Sequence, residues 1–166
     1  ELMFDKNHFQ IIISNLLHNA LKFTDFGIPN CLFLNAQNKQ TVKTIIKPLR
    51  ELGIPVAGIV DVDILKDGGN VWSGFLESGF LPEIEKNALA LTRQAIKQKF
   101  EQSSKDMKRD GGINILIGSD KEALSNLFEK LAEFGLFVVP YGELESWLKE
   151  LGISGHGPNW LIGIFE

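Results

Sequence analysis

Cysteine occurs once, as Cys31, so this chain of 166 residues cannot close an internal disulfide. One unpaired thiol fits a reducing compartment, and a cytoplasmic location is expected. No apolar run approaches the roughly 18 residues that a membrane span needs, so no membrane partner is expected. The start, Glu1-Leu2-Met3-Phe4-Asp5, lacks a basic stretch and an initiator Met, which predicts a fragment without a secretory signal. Positive charge is not in excess: 17 Lys and Arg face 21 Asp and Glu, for a net charge of −4. Global attraction to nucleic-acid phosphates is thereby excluded, and any DNA contact needs a local basic patch or bridging metal ions. A Gly-x-x-x-x-Gly-Lys loop is also missing, so the chain has no ATPase engine of its own.

What is present is globular. Hydrophobic residues make up 44% and charged residues 23%, too apolar for a disordered chain. The length fits one domain, or one domain with a short appendage. Residues 6–24 carry Phe9, Ile12, Ile13, Leu16, Leu17, Ala20 and Leu21 at helical spacing. Gly27 and Pro29 then break the pattern. Cys31–Leu34 predicts a short strand and residues 38–52 a helix with Val42, Ile45, Ile46, Leu49 and Leu52 inward. Pro48 predicts a kink or an early end, and Gly53 the helix stop. The unbroken run Val56–Val60 predicts a strand covered on both faces, as in a parallel sheet. Strand, helix and strand within this span predict a βαβ unit.

Residues 66–79, rich in glycine and aromatics, predict a loop or short turns. Residues 82–103 predict a helix with Ile84, Ala88, Leu91, Ala95 and Ile96 inward. Ile113–Ile117 predicts a strand, and Ser119-Asp120-Lys121-Glu122 a capping box that starts the next helix. Leu124, Leu127, Phe128, Leu131 and Phe134 form its predicted core face, Gly135 its end, and Leu136–Val139 a further strand. A short helix over 143–151 and a last one from Asn159 complete the pattern. The fold class is α/β, a parallel-type sheet flanked by helices, with an N-terminal helical segment (1–30) ahead of the main domain (31–166).

The chemistry-bearing feature is Asp61-Val62-Asp63, at the carboxyl end of a predicted buried strand. Strand residues two apart face one side. Two carboxylates about 4–5 Å apart repel by roughly 3–4 kcal/mol at an effective dielectric near 20. A hard cation such as Mg²⁺ or Mn²⁺ relieves that repulsion, and ligands of open α/β sheets gather at strand carboxyl ends. The bland alternative is a solvated acidic loop start, with Asp63 as a helix cap. Glu143 and Glu145 follow the strand Leu136–Val139 in the same way. They either favour a helix dipole or complete the site. Lys105, Lys108 and Arg109 form the basic cluster, a candidate contact for DNA backbone or simply a solvated turn. His156 is a lone loop histidine. Trp72, Trp147 and Trp160 read as core or lid residues, and Cys31 as packing.

Three runs carry a resemblance: Leu32 to Thr41, Leu52 through Asp63, and Gly135 through Glu145. Together they resemble the Toprim domain of OLD-family, ABC-type ATPase nucleases, over about residues 31–166. The resemblance implies a divalent-metal-dependent nuclease acting on DNA, with Asp61, Asp63 and Glu145 as catalytic metal ligands and Glu143 beside them. It implies Mg²⁺ or Mn²⁺ as cofactor and an ABC-type ATPase domain elsewhere, and a homodimer is one assembly to expect. Toprim domains open with a strand ending in Glu. Here either Cys31–Asn35 is the second such strand and the first lies upstream, where this chain has something else, or it is the first and Asn35 stands at the Glu position. Either way the Glu is missing, so a non-catalytic interaction module or relic is the alternative. A second run, Asn15 to Thr24 with Asp5 and Gln10, resembles the N-box of histidine-kinase ATPase domains. It implies nucleotide contact through Asn19 and Lys22, although the adenine box and Gly-rich lid of that family are missing here.

Overall fold

The computed structural model describes Leu34, residues 36–142 and Gly152. The N-terminal helical segment, the strand predicted at Cys31–Leu34 apart from Leu34 itself, and the helices predicted after Gly142 lie outside the described residues. Leu34 is not in a strand.

Helix α1 spans Lys39–Glu51. Asn38 caps it: its side-chain carbonyl accepts from the Thr41 amide at 3.0 Å. Val42 and Ile46 are buried, whereas Leu52, predicted inward, is 76% exposed. Pro48 sits inside the helix without ending it. Pro48 and Thr44, whose carbonyl would have received the missing N–H, both lie on the exposed face, where water can serve that carbonyl. The helix stops in a Schellman motif. The Ile54 amide donates to the Leu49 carbonyl, the Gly53 amide to the Arg50 carbonyl, and Gly53 takes φ +73°.

Strands β1 (Gly58–Asp61) and β2 (Leu136–Val139) pair in parallel, with Gly58 opposite Leu136 and Asp61 opposite Val139. Arg50 pins their starts together by donating to the carbonyls of Val56 (2.9 Å) and Gly135 (3.4 Å). Gly58, Val60, Leu136 and Val138 face the core. Gly58 is there because α1 comes so close that any Cβ would strike the Ile46 side chain. On the opposite face Ile59 is 58% and Phe137 44% exposed. The apolar run therefore does not mean cover on both faces: among the described residues the helices pack on one side. The α/β class with a parallel sheet and flanking helices holds.

After Asp61 the chain tightens into a 3₁₀ turn, Val62–Lys66, whose Val62, Ile64 and Leu65 are fully buried. Helix α2, Gly69–Ser78, follows where a loop was expected. Its glycines are packing devices. Gly68 caps the start, and a Cβ on Gly74 would collide with the Lys43 side chain of α1, so the two helices meet closely. Helix α3, Glu83–Gln102, buries Leu89, Ile96 and Phe100. The stripe predicted inward is largely wrong: Ile84 is 79% and Leu91 70% exposed, and Ala88 and Ala95 are exposed as well.

The predicted strand Ile113–Ile117 is a 3₁₀ turn over Gly112–Ile115. Only Ile113 and Leu116 are buried, three residues apart, which is 3₁₀ spacing. Gly111 and Gly112 both adopt positive φ, and Gly112 touches the Pro140 carbonyl so closely that no Cβ fits. Helix α4, Gly118–Glu133, begins one residue before the predicted capping box, with Ile117 in the cap position and no side-chain cap. Asp120 of that box pairs with Lys99 of α3 at 3.3 Å. Leu124, Leu127 and Leu131 form the core face as predicted, with Phe128 and Phe134 partly buried against it. Gly135 then turns the chain at φ +67° into β2. No helix among the described residues is long and apolar enough to cross a membrane.

Candidate functional site

Asp61 is the last residue of β1, and Asp63 already belongs to the 3₁₀ turn. The two aspartates therefore do not share a strand face, because strand alternation ends at Asp61. They still feel each other. The Asp61 carboxyl is pushed above the usual carboxylate range, first by burial and then by the negative charge of Asp63. The Lys108 ammonium, 3.5 Å from Asp61 Oδ2, and the nearby Val62 amide offset this only in part. Asp61 Oδ1 is buried and has no partner in hydrogen-bond geometry.

A lysine and a third aspartate join them. Lys39, the first residue of α1, reaches across to the turn. Its Nζ lies 3.0 Å from Asp63 Oδ2 and 2.5 Å from Asp67 Oδ2, and it donates to the Asp63 carbonyl at 3.2 Å. The Lys39 side chain is only 19% exposed. Burial opposes its charge, but the hydrogen bonds and charges of Asp67 and Asp63 outweigh burial and raise its pKa. Arg93 of α3 braces the same turn by donating to the carbonyls of Leu65 (3.0 Å) and Asp67 (2.6 Å). Its guanidinium lies 5.5 Å from the centre of the buried Trp72 ring. That agrees with Trp72 as a core residue.

The predicted basic cluster sits on the turn after α3, but its members diverge. Asp106 organises this turn: its Oδ1 accepts from the amides of Lys108 (2.9 Å) and Arg109 (3.1 Å), and its Oδ2 meets Lys66 at 3.1 Å. Lys108 is aimed at Asp61. Lys105 instead lines a shallow groove of about 360 Å³ with Lys66, Lys97, Phe100 and Met107. Gly142, the last described residue before Glu143, packs against the Lys108 backbone.

The structure thus brings Asp61 and Asp63 to one sheet end and adds Asp67 and Lys39. Sequence reasoning missed both. Asp67 follows Asp63 by four positions, a weak signal, whereas Lys39 is 24 residues away from Asp63 and carries no local signal. Glu143, Glu145, His156, Trp147, Trp160, Cys31, Asn35, Asn19 and Lys22 lie outside the described residues. Among the described residues, no group of three or more His, Cys, Asp or Glu is arranged to hold a metal ion. Asp61 and Asp63 carry oxygen atoms of the kind Mg²⁺ or Mn²⁺ takes, but two carboxylates alone do not make such a group. Comparison with protein-family models, with curated proteins and with solved structures returns no match to this chain.

Proposed function

We propose that this chain is a Toprim-like module of the OLD nuclease type, whose acidic strand end takes a divalent cation for phosphodiester cleavage in DNA. The observation that carries the proposal is Asp61. A buried carboxylate oxygen without a hydrogen bond, at the carboxyl end of a parallel strand, is costly unless something comes to it. Asp63, two residues on, adds a second oxygen donor. Glu143 and Glu145 follow β2, whose carboxyl end lies beside that of β1, and they are the further ligands this reading needs. A bound Mg²⁺ or Mn²⁺ would polarise a phosphoryl oxygen and lower the pKa of an attacking water. An ABC-type ATPase domain would be the partner that supplies the energy-coupled step.

Isothermal calorimetry with Mn²⁺ tests the site. Asp61→Asn and Asp63→Asn are each expected to weaken binding about tenfold or more, and unchanged binding in both variants removes the metal site. A plasmid-nicking assay with Mg²⁺ or Mn²⁺ then tests the chemistry, with cleavage expected to disappear in Asp61→Ala.

One observation favours a second reading, a non-catalytic Toprim-like interaction module: the acids already have internal counter-ions in Lys39 and Lys108. An absence of nicking at every metal concentration, with metal binding retained, supports that reading. The first-strand Glu that the resemblance calls for, missing on either alignment, points the same way.

A further inference from the structure

Helix α3 carries two apolar stripes. Leu89, Ile96 and Phe100 point into the core. On the opposite side Ile84 (79% exposed), Ala88, Leu91 (70% exposed) and Ala95 lie in water. Their spacing of four, three and four residues is that of a coiled-coil seam. Asn87 and Gln94 border the seam, both exposed and both uncharged. A helix face that stays in water normally carries charge there.

The sizes along the seam alternate large, small, large, small, and that order is self-complementary. Turned antiparallel about a two-fold axis between Leu89 and Ala90, a second copy sets its Ala95 opposite Ile84 and its Leu91 opposite Ala88. Each large side chain then enters the space left by an alanine, and the helix axes can approach to about 8 Å. A parallel pair would stack large on large and alanine on alanine, leaving voids. Charge agrees. Glu83 and Lys97 lie on one flank of the seam, at opposite ends of it. Antiparallel packing brings each Glu83 beside the Lys97 of the other copy, whereas parallel packing sets like against like. Within α3, Glu83 meets Lys86 at 3.3 Å and Lys97 meets Glu101 at 3.8 Å, surface pairs that hold them only weakly.

We propose that the exposed seam of α3 is a homodimer interface, on which a second copy of this chain packs its own α3 antiparallel. The dimer does not depend on the acidic strand end. About three turns of helix from each copy bury less than the roughly 1,200–2,000 Å² of a tight complex, so the association is weak, with a Kd on the order of 10 µM.

Sedimentation equilibrium of the full chain, from about 1 to 500 µM, is the test. The average mass of the parent is expected to rise from 18.5 kDa toward twice that value. Leu91→Glu charges the seam in both copies and is expected to weaken the dimer on the order of a hundredfold. Ala88→Arg fills the space that Leu91 enters and is expected to do the same. Melting curves at low concentration check folding, and Ala88→Arg alone decides if Leu91→Glu does not fold. Glu83→Lys and Lys97→Glu are each expected to weaken the dimer about threefold, and the double variant to regain the parent's affinity. A parent that stays monomeric at the highest concentration overturns the proposal; a lower melting temperature of that monomer in Leu91→Glu would assign the seam to another part of this chain. A dimer that survives both Leu91→Glu and Ala88→Arg also overturns it, because the contact then lies elsewhere. A double charge variant weaker than either single one overturns the antiparallel arrangement.

Discussion

Asp61, at the end of β1, and Asp106, on the turn after α3, each lie beside a lysine, and their carboxyls move in opposite directions. Asp61 is withdrawn from water, close to a second acid, and its pKa rises. At Asp106 burial opposes the charge, but the Lys66 hydrogen bond and the Lys108 and Arg109 amides together outweigh it, and its pKa falls. What separates them is burial first, and then how many donors reach the oxygens. Asp106 has donors on both oxygens, whereas Asp61 leaves one buried and unserved. One aspartate organises a turn. The other carries a charge that the fold does not fully satisfy, as functional sites often do.

The contrast can be broken from below. Leu65 is fully buried and belongs to the turn that carries Asp63. Leu65→Ala should cost about 2–5 kcal/mol in chemical denaturation. It should also lower the pKa of Asp61, read by NMR titration, because water reaches the acidic end. Next in size, Asp106→Ala should destabilise by about 1 kcal/mol, since two amides lose their acceptor. Asp61→Asn should act in the opposite direction, raising the melting temperature by on the order of one or two degrees at neutral pH.

The smallest effect, and the sharpest, is the pH dependence of these two variants. The raised pKa of Asp61 means that the folded chain prefers its protonated form. The stabilisation from that protonation is complete below the unfolded value of about 3.9 and is lost as pH rises through the folded value. The advantage of Asp61→Asn should therefore vanish in acid and grow through that window. Asp106 behaves oppositely: its contribution is present above the unfolded value and is lost as pH falls through its lowered folded value. Urea midpoints measured across the acid range would reveal both slopes, and slopes of the same sign would refute the contrast.

Some of this was legible in the residues and some was not. β2 was predicted at Leu136–Val139 and lies there, and α1, α3 and α4 fall close to their predicted limits. The wrong elements share a cause. Glycines 68, 69 and 74 suggested a loop, yet Gly68 and Gly69 begin α2 and Gly74 lets it approach Lys43, a tertiary demand that local pattern does not record. Leu91 and Ile84 form an apolar stripe as regular as the buried one of Leu89, Ile96 and Phe100, and periodicity alone cannot say which of two stripes faces inward. At the site, Asp61 and Asp63 stood out as an acidic pair after an apolar run. Lys39 did not, because only the packing of α1 on β1 brings it there.

The parallel pairing of β1 with β2 has a consequence for biogenesis. Gly58 waits for Leu136, and three helices must be laid down between them. On a ribosome adding about 5–20 residues each second, β1 is made several seconds before its partner leaves the tunnel. Until then its backbone edge lacks the strand that will pair with it. Nascent chains arrested before Leu136 should thus engage holdase chaperones, and release should coincide with emergence of the short segment Leu136–Val139.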